Sequence, residues 1–316
     1  MVVGIDIGGT KTKIGLVNQE GKCIAQTFFK TRDYHKLNDY LDQVKNTCDT
    51  LISSLKFKPN IIGCGIGAPN ASSKRGTIEN AANLRWKGIV PILEVFNNEW
   101  QIPMRIMNDA SAAALGELLF GRGRAMSDFI AITLGTGFGA GIVANRQLID
   151  GYDGFAGELG HVDMTMGDGR LTGLGVQGGL EAYVSATGLK RTIVYMQSHY
   201  IDESRFRDVA YNNLHGEEIT QAAEEGDIIT IKAFDYTAKI MAQALANFTA
   251  FTQPEAFILM GGLVNSGKWI LDPLERYFDQ FLLEIYRGKV KILESEMESK
   301  TAAICGAAAL IWEKNR

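Results

Sequence analysis

Apolar and polar residues alternate from the start of the chain. From Gly4 to Val17 the sequence GIDIGGTKTKIGLV predicts two strands joined by a turn at Gly8-Gly9-Thr10, too tight for bulky side chains. A third strand is expected over residues 22–29, after the turn Asn18-Gln19-Glu20-Gly21. Within residues 35–55, Leu37, Tyr40, Leu41, Val44, Leu51 and Ile52 recur at helical spacing, and Pro59-Asn60 stops the helix before a buried strand, IIGCGIGA, from Ile61 to Ala68. A loop follows through Gly88. Residues 89–100 then read as a helix, 104–107 as a short strand, and 110–120 as a helix with Asn108-Asp109 at its start.

The second half repeats this rhythm. ITLGTGFGAGIV predicts a strand over 129–134, a turn at Gly135-Thr136-Gly137 and a strand over 139–144. Residues 228–251 carry a long helical period, 256–260 form a buried strand ending at Gly261-Gly262, 269–281 a helix and 290–293 a strand. The final helix, 301–314, is rich in alanine like the one after Asp109. Small residues on both would let the two backbones approach closely where the halves meet, with a hinge as the consequence.

A glycine turn at a strand end exposes successive backbone N–H groups, which form a concavity suited to an anion. Thr10 adds a hydroxyl and Lys11 an ammonium, so a phosphate is the natural guest, with Asp6 beside it as a magnesium partner. An ordinary hairpin with a polar tip fits the same residues, and Lys11 reads equally as a solvated side chain. No P-loop pattern is present. Gly137, Gly139 and Gly141 follow a strand but open another strand instead of a helix, which excludes a dinucleotide fingerprint. Two glycine hairpins from duplicated halves would instead put two phosphate turns on opposite walls of one cleft.

Composition narrows the class. The 316 residues are 46% hydrophobic and 22% charged, enough for two cores. A net charge of -4 without a basic block argues against nucleic acid as a partner. No apolar run reaches the roughly 20 residues a membrane helix needs, and the chain enters a strand without a leader, so no membrane association and a cytoplasmic location are expected. The four cysteines, Cys23, Cys48, Cys64 and Cys305, have no metal-binding spacing and read as reduced thiols.

The motifs DIGGTK, GIGAP (65–69), MNDASAAALGE, LGTGFGAGIV, GELGH (157–161), LEAYVSATG (180–188) and LMGG, in this order, resemble the ROK family of sugar kinases and repressors. The likeness covers nearly the whole chain. It implies a duplicated α/β fold of the actin-like, ribonuclease H-like ATPase class, two domains with a cleft between them. The expected N-terminal domain is 1–118, joined by a C-terminal helix at 299–316, and the larger C-terminal domain is 119–298. Repressor members carry an N-terminal helix-turn-helix; here the hairpin starts at the amino terminus, so the kinase branch is expected.

The resemblance further implies phosphoryl transfer from ATP to a hexose 6-hydroxyl, glucose first, with magnesium. The alternatives are an N-acetylhexosamine kinase or fructokinase, or, from another class, a non-catalytic sugar sensor or an actin-type assembly protein. Asp109 is the implied catalytic base, although the residues alone favour a helix cap. Nucleotide contacts are expected from Asp6, Gly8, Gly9, Thr10, Lys11, Gly135, Thr136, Gly137, Gly261 and Gly262. Sugar contacts are expected from Asn83, Asn108, Asp109, Glu158, His161 and Glu181. Many members hold a structural zinc through the histidine and three cysteines; this chain has Thr172, Leu174 and Gly179 at the cysteine positions, so no zinc is expected. Smaller departures are Asn70, where a glycine is frequent, and Ala82, where a proline is usual. Relatives are usually homodimers, which is the expected assembly.

Overall fold

The computed structural model describes residues 1–314. The opening alternation becomes β1 (Val2–Ile7) and β2 (Thr12–Val17), paired antiparallel so that Asp6 faces Lys13 and Ile7 faces Thr12. β3 (Cys23–Phe29) continues the ribbon, alternating half-buried and exposed residues as an edge strand does. Tyr40, Leu41, Val44, Cys48 and Leu51 of α1 (Leu37–Ser53) fall on one helical face and are buried, and β4 (Gly63–Ala68) is buried throughout.

The stretch expected as a loop after β4 holds structure of its own. β5 (Ala71–Ser72), β6 (Thr77–Glu79) and β7 (Ile89–Val90) form a small antiparallel sheet. Pairing with Glu79 and Ile78 claims Ile89 and Val90, so the helix expected from 89 begins later, as α2 (Ile92–Glu99). β8 (Met104–Asn108) and α3 (Asp109–Phe120) follow without a loop. Then come β9 (Phe129–Leu134), β10 (Phe138–Ala144), β11 (Gln147–Leu148), α4 (Ala186–His199), α5 (Gly216–Glu224), α6 (Ile228–Thr252), β12 (Ala256–Met260), α7 (Lys268–Phe281), β13 (Lys291–Glu294) and α8 (Ala302–Lys314). The expectations did not include β11, α4 or α5.

Two compact units result. The first contains Met1–Ser127, Gly141–Gly157 and the described chain from Ser295 onward; the second contains Asp128–Ala140 and Glu158–Glu294. Beyond the expected 1–118 and 299–314, the first unit takes in 119–127, 141–157 and 295–298. Residues 315 and 316 of the expected C-terminal helix lie outside the described residues.

In the first unit the sheet runs β3-β2-β1-β4-β8, with β4 parallel to β1 and β8 parallel to β4. The two-residue period of β1 sends Val3, Ile5 and Ile7 into a core with Tyr40, Leu41, Val44 and Ile92, and sends Val2 to the other face, with Ile304, Cys305, Ala308 and Ile311 of α8. On that face α8 lies directly on the backbone: a Cβ at Gly4 would overlap the Ile304 carbonyl oxygen, and one at Gly65 the Ala307 carbonyl oxygen. α3 and α8 cross as closely, a Cβ at Gly116 falling 2.9 Å from the Gly306 Cα. Both helices belong to the first unit, so their small residues serve packing inside one unit, not the junction of two halves that the sequence suggested.

The second sheet, β11-β10-β9-β12-β13, repeats the first one's order, a hairpin beside a central strand and then two parallel strands. α6 supplies much of the second unit's core, burying Ile229, Phe234, Met241, Leu245 and Phe248, with Asp227 capping its first turn. Among the described residues no helix is long and apolar enough to cross a membrane.

Candidate functional site

In the first unit, Gly8 to Lys11 link β1 to β2, and the Gly8 N–H donates to the Lys11 carbonyl at 3.0 Å. The turn is seated from two sides. The Thr31 N–H donates to the Thr10 carbonyl at 3.0 Å, and a Cβ on Gly9 would lie 2.6 Å from the Asn83 carbonyl oxygen and 2.9 Å from its Cβ. Glycine at 9 is thus required by the approach of another segment, and that segment brings the exposed Asn83 to the turn. Buried Thr12 anchors the start of β2 through hydrogen bonds of 2.8 Å with Thr31 and 2.9 Å with Tyr40.

Asp6 stands near the carboxyl end of β1 and Asp109 just past that of β8. β4 runs between, where Gly67 is the register partner of both Asp6 and Met107 and offers no side chain to fill the gap. Burial pushes the Asp6 carboxyl up to about 6; Lys13 opposes the shift and the Asp109 charge adds to it. Lys13 Nζ lies 3.8 Å from Asp6, whereas Lys11 is exposed and holds its ammonium 4.3 Å over the Phe28 ring. The sequence reading selected Lys11 and missed Lys13. The signal was available, since a four-residue link places position 13 opposite position 6.

Asp109 is the first residue of α3, but the cap is Asn108, whose side-chain oxygen accepts from the N–H groups of Ala110 at 2.9 Å and Ser111 at 3.3 Å. The Asp109 carboxylate also accepts from Ala110, at 2.8 Å. Its surface is open to solvent, yet protein crowds around it: desolvation raises its pKa, outweighing the backbone hydrogen bonds that lower it. Two like-charged, partly desolvated carboxylates offer oxygen ligands suited to a hard divalent cation that brings phosphate oxygens as its other ligands, while the Lys13 ammonium is the ion-pair partner of Asp6 and no ligand.

In the second unit, the Gly135 N–H donates to the Gly137 carbonyl at 3.0 Å, and the Gly135 carbonyl accepts from Ala186 at the head of α4 at 2.9 Å. Ser185 caps that helix by accepting from Gly188 at 2.9 Å, and Thr187 donates to the Thr136 carbonyl at 2.9 Å. Thr136 is exposed, and the space where a Gly135 side chain would stand is open. Gly261, at φ +107°, lies so close to β9 that a Cβ would meet the Leu134 carbonyl oxygen at 2.5 Å, while the side of Gly262 is open. The second glycine turn and the end of β12 therefore come together.

Glu181 is tied to the same turn. Its carboxylate accepts from the Phe138 N–H at 3.0 Å and fills the place a Gly137 side chain would take. Gly160 packs against Phe138, where a Cβ would lie 2.6 Å from the carbonyl oxygen, and this seats the segment bearing Glu158 and His161. His161 Nε2 is 3.6 Å from the Glu158 carboxylate. At the cysteine-equivalent positions, Thr172 and Val176 exchange a short hairpin: the Thr172 N–H donates to the Val176 carbonyl at 2.9 Å and the Thr172 hydroxyl accepts from the Val176 N–H at 3.1 Å. Gly179 lies against the Thr172 methyl, and Leu174 is exposed. Among the described residues no cluster of three or more His, Cys, Asp or Glu side chains is arranged to hold a metal ion.

The structure thus gathers Asp6, Lys13, Gly8 to Lys11, Asn83, Asn108 and Asp109 in the first unit, and Gly135 to Gly137, Glu158, His161, Glu181, Gly261 and Gly262 in the second. The sequence model of the ROK family matches residues 2–314. The chain is 30% identical over 321 residues to a glucokinase of Streptomyces coelicolor, covering 99% of this chain and 98% of that one. It is 29% identical over 320 residues to a xylose repressor of Caldicellulosiruptor bescii, covering 98% of this chain and 77% of that one. Among solved structures, a ROK family glucokinase from Streptomyces griseus in complex with glucose and AMPPNP superimposes with a TM-score of 0.81 at 30% identity, covering 98% of both chains.

Proposed function

Because the chain belongs to the ROK family, we propose that it is an ATP-dependent hexose kinase, transferring the γ-phosphoryl group of ATP to the 6-hydroxyl of glucose. The observation that carries the reading is the placement of Asp109 at the head of α3, beyond the carboxyl end of a parallel strand, with Asp6 two strands away and glycine between. In open α/β sheets ligands bind outside the carboxyl ends of the strands. Asp109 takes the proton of the sugar hydroxyl as its oxygen bonds to the γ-phosphorus and the bond from phosphorus to the ADP oxygen breaks. A raised pKa strengthens it as a base, and the Asn108 cap fixes its backbone so that the carboxylate is not needed to hold the helix.

Asp6, oriented by Lys13, would hold magnesium together with phosphate oxygens; the ion supplies neutralisation of phosphate charge. The N–H groups of Gly9, Thr10 and Lys11, and those of Thr136 and Gly137, cradle phosphates, the Gly8 and Gly135 N–H groups closing the two turns, while Gly261 and Gly262 give the adenosine a close approach. Asn83, Asn108 and Asp109, with Glu158, His161 and Glu181, bind sugar hydroxyls. Glu181 does so with one oxygen already engaged by Phe138, which fixes the other.

The test is ADP release in a coupled assay with glucose, mannose, fructose, N-acetylglucosamine and N-acetylmannosamine side by side. Glucose is expected to give the highest kcat/KM. A better N-acetylhexosamine or fructose moves the substrate within the class. Sugar binding without ADP release refutes the enzyme and leaves a sensor.

A further inference from the structure

The loop 162–179 leaves the second unit between His161 and Leu180 and returns to the same place. Its ends are tied by the Leu180 N–H donating to the Val162 carbonyl at 3.0 Å and by a bridge between Asp163 and Gly179. Beyond them the loop is exposed: Met166, Leu171 and Leu174 face solvent, and Gly167, Gly169, Gly175 and Gly178 all have positive φ. Hydrogen bonds such as Met164 N–H to the Gly178 carbonyl at 3.0 Å and Thr172 N–H to the Val176 carbonyl at 2.9 Å fold the loop on itself, but its large apolar side chains stay outside the core and do not fasten it to the unit.

One side chain runs from it into the body of the unit. The Arg170 guanidinium lies 4.7 Å from the Tyr183 ring, 5.7 Å from Tyr195 on α4 and 6.0 Å from Tyr236 on α6. It donates to the Thr192 hydroxyl at 2.8 Å and the Gly188 carbonyl at 3.4 Å, while its own N–H donates to the Tyr183 hydroxyl at 3.0 Å. Arg191 adds a strut from α4, donating to the Leu171 carbonyl at 2.5 Å. Among the described residues no carboxylate pairs with Arg170, so its charge is held by ring faces and neutral acceptors alone. A planar fork that stacks and donates at once is something lysine cannot reproduce.

We propose that Arg170 is a positioning residue for sugar binding: by pinning the loop to α4 and α6 it fixes the two loop ends on which His161 and Glu181 stand. This rests on the hexose kinase reading. On the nucleotide side of the second unit, Gly135 and Thr136 are tied to Ala186 and Thr187 at the head of α4 and Gly261 lies against Leu134, contacts on the body's side of the pin that involve no residue of the loop.

The test compares wild type, Arg170→Ala, Arg170→Lys and Tyr236→Leu by steady-state kinetics with glucose and ATP and by amide hydrogen exchange over residues 161–181. Arg170→Ala is expected to raise the glucose KM about tenfold, the loss of a desolvated cation–π contact and its hydrogen bonds, with the ATP KM held within about twofold. Exchange should accelerate in the loop and not in α6. Arg170→Lys should recover part of the glucose KM, and Tyr236→Leu should move it in the same direction as the alanine variant. A glucose KM within about twofold of wild type in folded Arg170→Ala overturns the proposal, as does an equal rise in both KM values. Should Arg170→Ala fail to fold, the Arg170→Lys and Tyr236→Leu values decide by the same criteria. Wild type that turns over no sugar refutes the kinase reading instead, and an unchanged loop exchange rate then refutes the pin separately.

Discussion

Replacing Asp109 by asparagine separates the two things a carboxylate at the head of a helix can do. If it served chiefly as a cap, the variant would melt early. The structure gives the capping to Asn108, which accepts from both Ala110 and Ser111. What Asp109→Asn removes from stability is a favourable charge at the α3 N-terminus, worth about 0.3–1 kcal/mol. What it relieves is the desolvation that raises the Asp109 pKa and the charge that Asp109 presents to Asp6, so the two changes oppose and the net is within about 1 kcal/mol. Catalysis should respond on another scale. Loss of a positioned general base costs about a hundred- to ten-thousand-fold in kcat, or roughly 3–5 kcal/mol of barrier. The assay pairs ADP release at saturating glucose and ATP with thermal unfolding of the same preparation. Asn108→Ala is the control for capping, expected to lower stability by about 1 kcal/mol. Wild-type kcat should fall as pH drops through the raised Asp109 pKa, above the ordinary carboxylate range, and that acid limb should vanish in the asparagine variant. A variant retaining kcat within about tenfold of wild type, or losing activity only in proportion to unfolding, would refute the assignment of Asp109 as base.

Three further outcomes are expected. Gly9→Ala should raise the KM for ATP and lower stability by about 1–3 kcal/mol, because the new methyl meets the Asn83 backbone and must displace the phosphate turn; equal ATP KM values would exclude a seated turn. Gly65→Ala should be more damaging than that range of about 1–3 kcal/mol suggests, since its methyl overlaps a helix carbonyl of α8 that cannot rotate away, and chemical denaturation reads the loss. For Asp6 the folded pKa is raised above the unfolded one, so the protonated carboxyl contributes stability that is fully present below about 3.8 and is lost, as the group ionises, when pH rises through about 6. Without magnesium, Asp6→Asn should therefore raise stability at pH 7.5 by up to about 3 kcal/mol while changing little at pH 4, and a uniform change across that window would refute the assignment.

Much of the architecture was legible because strong local signals coincide with the tertiary solution. Alternation around a glycine turn specifies a hairpin, and its recurrence at Gly135 announced the strand order that the two sheets share. Asp109 stands out through the resemblance of MNDASAAALGE to the ROK family, since its place before an alanine-rich helix reads by itself as a cap, a part the structure gives to Asn108. The remainder depended on partners distant in sequence. Two- and three-residue strands at 71–72, 77–79 and 89–90 are shorter than any detectable alternation, and only pairing with one another defines them. Gly4 and Gly65 look like weaknesses in their strands until α8, more than two hundred residues later, is seen lying on them. Lys13 was hidden by the more conspicuous Lys11 at the turn's tip. The carboxylate of Glu181 bound to the N–H of Phe138, and Arg170 among three tyrosines, have no spacing rule at all.

The position of α8 also governs the order in which this protein can be made. Its residues are made more than two hundred residues after the strands β1, β2 and β4 that they cover, and until they arrive Val2 and Val17 lack Ile304, Cys305, Ala308 and Ile311 on that side. The second unit, Asp128–Ala140 with Glu158–Glu294, lies wholly before α8 in the chain and can complete itself during synthesis, while the first waits for α8. Translation thus delivers one unit able to finish and one still open, and the sheet face at Val2, Gly4 and Gly65 closes only once α8 has been made.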